Sequence, residues 1–256
     1  MNWAHNIVIK TENELELMRE AGRVNALALQ TVRELIRPGI TTGELDAAAE
    51  QVIRKHDGIP VFLGYPGPYE YPATLCISVN EELVHGIPGK RKLKEGDIVS
   101  VDCGTLLNGF VGDAAFTVGV GDISSQAEHL LRVTEEALYL GVEQMKAGNR
   151  TGDVSSAIQR YVEGNDLHVT RVYTGHGVGR QMHEGPQVPN YGRPGKGILL
   201  RQGMTIALEP MVLVGTHRTN VLADKWTVVS ADGSLTAHFE HSVAVTRNGP
   251  VILTLP

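Results

Sequence analysis

From Thr11 onward the chain alternates helical and strand-like patterning. Leu17, Ala21, Val24, Ala28, Val32 and Leu35 recur at three- and four-residue intervals, which puts them on one helix face. Thr11 with Glu14 three residues later is a capping-box pattern, because hydroxyl and carboxylate each satisfy an amide the helix leaves open, and Pro38 stops the run. Thr41 and Glu44 repeat the device before a second helix bearing Leu45, Ala49, Val52 and Ile53, which ends near Asp57 and Gly58. ATLCISV, DIVSVDCG and FVGDAAFTVGV then read as strands.

The same order recurs further on. Ser125 with Glu128 is expected to open a third helix carrying Ala127, Leu130, Leu131, Leu138, Val142 and Met145, and RTGDVSSAIQRYVEG supplies a fourth with Val154, Ile158, Tyr161 and Val162. Under one fixed shift Thr42, Gly43, Leu45, Ala49, Val52 and Ile53 fall on Thr151, Gly152, Val154, Ile158, Tyr161 and Val162. At nearly the same shift LKEGDIVSVD meets LRQGMTIALE, laying Asp102 on Glu209; GDAAFTV meets FEHSVAV with Asp113 on Glu240, and VHGIPG meets MHEGPQ with His85 on His183. The common order points to an internal duplication, residues 11–120 and 121–250, within a single domain spanning 1–256. Two α+β halves of this kind are expected to pack helices outside one curved, mostly antiparallel sheet about a pseudo-twofold axis.

Composition narrows the function classes. With 256 residues and 42% hydrophobic content the chain can bury a large core, and a formal net charge of −6 argues against a dedicated nucleic-acid or membrane-surface binder. The one basic run, GKRKLK, reads as a solvated turn before a strand. MNWAHNIVIKTENELELMRE has no apolar core of a signal peptide, no stretch reaches membrane-span length, and Cys76 and Cys103 have no paired spacing; the expected location is the cytoplasm.

Side chains alternate across a strand, so Ile98, Ser100 and Asp102 share a face, as do Val111, Asp113, Ala115 and Thr117. The matching faces carry Thr205, Ala207 and Glu209, then His238, Glu240, Ser242 and Ala244. Each acid stands in an otherwise apolar run among small residues, with no basic residue between Ile98 and Val118 or between Met204 and Val214. Burying four carboxylates near one axis requires counter-charge, and metal ions are the economical source. Four carboxylates with one neutral imidazole match a two-metal site, in which bridging carboxylates hold ions about 3.5–4 Å apart. His176, flanked by Gly175 and Gly177, is the candidate imidazole, since glycines allow close backbone approach and unusual dihedrals. GHGVGRQ lacks the third glycine of a dinucleotide loop.

At these residues the sequence resembles the type I methionine aminopeptidases, enzymes of the pita-bread fold. The resemblance runs the length of the chain, from IKTENELELMREAG, PGITTGELD and CISVNEELVHGIP through GDIVSVD, GFVGDAAFTV, GHGVGRQMHEGPQV and GMTIALEPM to FEHSVAVT. It implies a dinuclear metallopeptidase that removes the initiator methionine from nascent chains when the second residue is small. Asp102 would chelate one metal, His176 and Glu209 the other, and Asp113 and Glu240 would bridge both. A water or hydroxide between the ions would attack the scissile carbonyl, with Glu209 as proton shuttle. His183 would hydrogen-bond the carbonyl oxygen as charge develops, and His85 would sit near the scissile amide nitrogen or the following residue.

For the methionine side chain the resemblance implies a pocket of Tyr65, Cys76, Trp226 and Phe239, with Phe62 where many relatives have cysteine and a longer loop in LGYPGPYEYPATLC. It also implies a monovalent cation near Asn80, with Thr236 where serine is common. The two divalent ions would be cobalt, manganese, iron or zinc. A monomer is expected, with GKRKLK as a transient ribosome contact. The form is the short bacterial type, without a zinc-finger extension or a type II helical insertion. Two rival readings share the fold: an Xaa-Pro aminopeptidase or prolidase relative, and an inactive pita-bread scaffold that binds protein or RNA. The first usually carries an added N-terminal domain, for which the residues before Thr11 leave no room, and the second is expected to lose ligands that this chain keeps.

Overall fold

The computed structural model describes residues 6–256; the opening MNWAH, part of the segment read above as lacking a signal peptide, lies outside them. Helices α1 (Glu12–Leu35), α2 (Thr42–Lys55), α3 (Ser125–Glu143) and α4 (Thr151–Glu163) fall where the periodicity puts them. Thr11 and Thr41 form complete capping boxes with Glu14 and Glu44. The third helix departs by one position: Ser124, not Ser125, is the cap, its hydroxyl accepting from the Ala127 amide. A cap residue needs extended backbone, and the turn delivers that at Ser124, leaving Ser125 as the first helical residue. In α4 the Asp153 carboxylate accepts from the Arg150 amide, half of a capping box.

The main sheet is antiparallel throughout. Its order runs Ile59–Pro60, Ile98–Leu107, Phe110–Gly119, Glu240–Thr246, Thr205–Leu208, Thr174–Gly177 and Glu184–Pro189, with Leu75–Val79 also on Ile98–Leu107 and Gly249–Ile252 also on Glu240–Thr246. This is the curled pita-bread sheet.

Period-two alternation sorts its two faces. Val99, Val101, Cys103, Ala114, Phe116, Ile206, Leu208, Val243 and Val245 join the helices' apolar faces in the main core. Asp102, Asp113 and Glu240 stand between them in sequence and so project from the other face. Gly112, one residue before Asp113, meets Gly22 of α1 so closely that a Cβ there would lie 2.6 Å from the Gly22 Cα. Bare backbone at both positions lets α1 press onto the acid-bearing strand.

Candidate metal centre

Register decides which side chains meet. Ala115 is the cross-strand partner of both Asp102 and Glu240, and Ala207 is that of both His176 and Ser242. A methyl group in the middle strand leaves space over it, so acids two strands apart converge above Ala115. Ser242 ties the central strands: its hydroxyl accepts from the Asp113 amide at 3.1 Å and donates to the Asp113 carbonyl at 2.9 Å.

The five expected ligands line one cavity of about 160 Å³, together with His85 and His183. His176 Nε2 lies 3.6 Å from Asp113 Oδ2 and 3.5 Å from Glu209 Oε1. Those separations are long for hydrogen bonds but suit donors arranged about a common cation, since ligands about 2.1 Å from one ion stand about 3–3.5 Å apart. Buried oxygens on Asp102 (Oδ1), Asp113 (Oδ1) and Glu240 (Oε1) have no hydrogen-bond partner among the described residues. Asp113, His176 and Glu240 bring their donor atoms within 4.8 Å of one another, as do Asp102, His238 and Glu240. Mixed carboxylate and imidazole donors fit divalent transition metals.

Electrostatics point the same way. Burial, followed by repulsion from Asp113 and other site acids, drives Asp102, Glu209 and Glu240 well above the carboxylate range. Burial raises Asp113 to about 7, opposed by a hydrogen bond with Glu240. Protein alone therefore disfavours this concentration of negative charge. Burial also lowers His176 to about 3, with help from His183, and lowers His183 to about 4. Neutral imidazole is the form that ligates. His176 Nδ1 lies 3.0 Å from the Gly177 carbonyl, which can only accept, so the ring hydrogen is on Nδ1 and Nε2 is left for a metal.

The glycines beside His176 act through space alone. A Cβ on Gly177 would lie 2.1 Å from the Gly185 carbonyl oxygen and one on Gly175 2.7 Å from that of Ala207, while neither takes positive φ. The expectation of unusual dihedrals there is corrected: Thr174–Gly177 is a strand squeezed between two neighbours.

Most of the expected pocket residues meet at the cavity: Phe62, Tyr65, Cys76 and Trp226 line it, joined by Tyr71 and Met182, which the sequence reading did not single out. Phe239 does not. Strand alternation turns it away from Glu240, and it sits in the main core behind the sheet. Tyr65 does more than line a wall, because its hydroxyl lies 2.6 Å from His183 Nδ1. The loop before Leu75 folds back on itself, with the Tyr71 hydroxyl donating to the Leu75 and Gly86 carbonyls. Tyr69 and Tyr71 meet the Trp226 ring edge-on at 6.1 and 5.2 Å.

At Asn80 the side chain is engaged by protein: Nδ2 donates to Asp97 and Oδ1 accepts from the Ile98 amide. Its carbonyl accepts from the Thr236 amide and hydroxyl. A cation there would be met by main-chain carbonyls.

His238 is the chief omission from the sequence reading. It is 2% exposed, and its Nε2 lies 3.5 Å from Glu240 Oε2 and 3.7 Å from Glu209 Oε2. Its position two residues before Glu240, in phase with it, was the available signal.

Residues 16–247 match the model of metallopeptidase family M24. The methionine aminopeptidase of Clostridium perfringens is 54% identical over 249 residues, covering 97% of this chain and 99% of that protein. Methionine aminopeptidase 1 of Bacillus subtilis is 52% identical over 248 residues, again 97% and 99%. The crystal structure of the Thermotoga maritima methionine aminopeptidase superposes with a TM-score of 0.95 at 49% identity, covering 98% of this chain and all of that one.

Proposed function

The chain belongs to metallopeptidase family M24 as a type I methionine aminopeptidase, and on that premise we propose how its residues divide the work of removing the initiator methionine. One observation carries the reading: carboxylates from three strand positions, the Glu209 carboxylate just past the end of Thr205–Leu208, and the His176 imidazole converge at donor spacings suited to shared cations. Asp102 would hold one ion and His176 with Glu209 the other, and Asp113 and Glu240 would contribute to both. When bound, two divalent ions supply Lewis-acid polarisation of the scissile carbonyl and an acidic water at neutral pH.

The remaining steps belong to side chains. Glu209 takes the proton from the attacking water and passes it to the leaving amine, as its place beside His176 allows. Tyr65 donates its phenolic hydrogen to His183 Nδ1, which fixes the other ring hydrogen on Nε2. That N–H is the preset donor for the carbonyl oxygen as negative charge develops there. His85, kept neutral by burial and by His183, faces the leaving nitrogen. Phe62, Cys76, Trp226 and Met182 offer an apolar wall to an unbranched thioether, and burial keeps the Cys76 thiol protonated rather than nucleophilic.

Cobalt, manganese, iron and zinc all suit this donor set, and availability selects among them. The protein works as a cytoplasmic monomer on nascent chains, with exposed Lys90, Arg91, Lys92 and Lys94 turned toward the ribosome. The sheet's central pair of acid-bearing strands, each flanked by another, descends from duplication of an ancestral half. Hydrolysis of Met-Ala-Ser against Xaa-Pro peptides, after metal removal and add-back with each ion, tests the reading. Preferential cleavage of the methionine peptide is expected; preference for proline peptides would transfer the chain to the prolidase class, and metal-independent inertness would make it a binding scaffold.

A further inference from the structure

We infer that His238 is a sixth protein ligand of the metal centre, giving the Asp102 side an imidazole of its own. The inference deepens and rests on the metal-centre reading above. His238 is buried, and its Nε2 has no hydrogen-bond partner among the described residues. A buried ring nitrogen without a partner is unfavourable unless something meets it. What it faces are carboxylates, Glu240 Oε2 at 3.5 Å and Glu209 Oε2 at 3.7 Å. These nearly reproduce the 3.5 and 3.6 Å by which His176 stands off its own two carboxylates. Asp102, His238 and Glu240 bring donor atoms within 4.8 Å of one another, a second trio beside that of Asp113, His176 and Glu240. Glu240 belongs to both trios, which is the position of a bridging ligand.

The backbone that carries the ring is also fixed in place. The His238 amide donates to Thr117 Oγ1 at 2.9 Å, and that hydroxyl donates to the His238 carbonyl at 2.8 Å. Thr117 Oγ1 in turn lies 2.8 Å from Ser100 Oγ. With the Thr117 hydrogen already given to His238, Ser100 is the donor of that pair. Ser100 and Thr117 lie on the same strand faces as Asp102 and Asp113, so strands bearing two acids also hold the imidazole's backbone. Adding a nitrogen to an otherwise all-oxygen site favours zinc, cobalt or nickel there over manganese or magnesium.

The test uses metal-free full-length protein loaded with zinc or cobalt. X-ray absorption at the zinc edge of wild type carrying two ions should give one imidazole per ion, against one imidazole per two ions if His238 does not ligate. His238→Asn removes the Nε2 position while keeping a polar atom nearer the backbone, and His238→Gln restores a hydrogen-bonding atom near the lost nitrogen. Calorimetric titration should show one of the two zinc ions losing at least about tenfold in affinity in both variants. An imidazole count of one per two ions in wild type overturns the inference. So does unchanged affinity for both ions in His238→Asn, or full restoration in His238→Gln, which would assign the ring to hydrogen bonding. Failure of wild type to take up any divalent ion would instead reject the underlying metal-centre reading.

Discussion

Tyr65 Oη and His183 Nδ1, 118 residues apart in sequence, lie 2.6 Å apart in a partly buried hydrogen bond. With the phenol donating, as proposed above, the ring keeps its hydrogen on the other nitrogen. His183→Ala should therefore lower kcat/KM by about 10²–10³-fold, the range for loss of one oxyanion donor. Tyr65→Phe should lower it by up to about tenfold, as expected for one hydrogen bond. Both variants should retain two metal ions by elemental analysis. Loss of metal from His183→Ala would mean that the ring ligates.

Asp113 is 1% exposed, and under the proposed assignment its carboxylate would contribute to both ions. Asp113→Ala should weaken both sites together, by more than the about 10–100-fold typical of lost outer-shell partners. Isothermal titration would then show two weakened events. Weakening of one site alone would remove its bridging role.

Metal uptake should depend on pH in a definite direction. Asp113 is raised to about 7 in the empty protein, and a ligand must be deprotonated, so binding releases its proton below that pH. Affinity should fall as pH drops through about 7. His176 and His183, lowered to about 3 and about 4, are already neutral over this window and release nothing. The same shift carries a stability sign: a raised carboxylate pKa contributes stability to the empty protein below about pH 4 that is lost as pH rises through about 7. Metal-induced gain in Tm should therefore grow from pH 5 to 8, and a flat profile would contradict the assignment.

Lys10 and Glu184 form a buried ion pair, side chains 1% and 3% exposed, and Glu184 Oε1 also accepts from the Arg180 and Gln181 amides. Glu184 thus anchors the turn that carries His183. Lys10→Met would leave that carboxylate buried without its partner, at about 3–5 kcal/mol. Chemical denaturation of the metal-free protein should read that loss, and a change below about 1 kcal/mol would show that the turn relaxes to readmit water.

The residues that seed local structure were legible from the chain alone. Thr11, Thr41 and their glutamates announce helix starts because capping depends on neighbours three positions apart, and Ser124 was missed because two adjacent serines offer the same hydroxyl. The acids of the site were legible too, since carboxylates in apolar strands require counter-charge wherever they fold. What the sequence determined was thus the four helices, the family and the candidate ligands Asp102, Asp113, His176, Glu209 and Glu240, which the fold brings to one cavity. Strand register and loop path decided the rest. They set Ala115 and Ala207 beneath converging side chains, laid Tyr65 against His183 and brought His238 beside Glu209. Those relationships join residues distant along the chain, and local periodicity carries no information about which strand lies beside which.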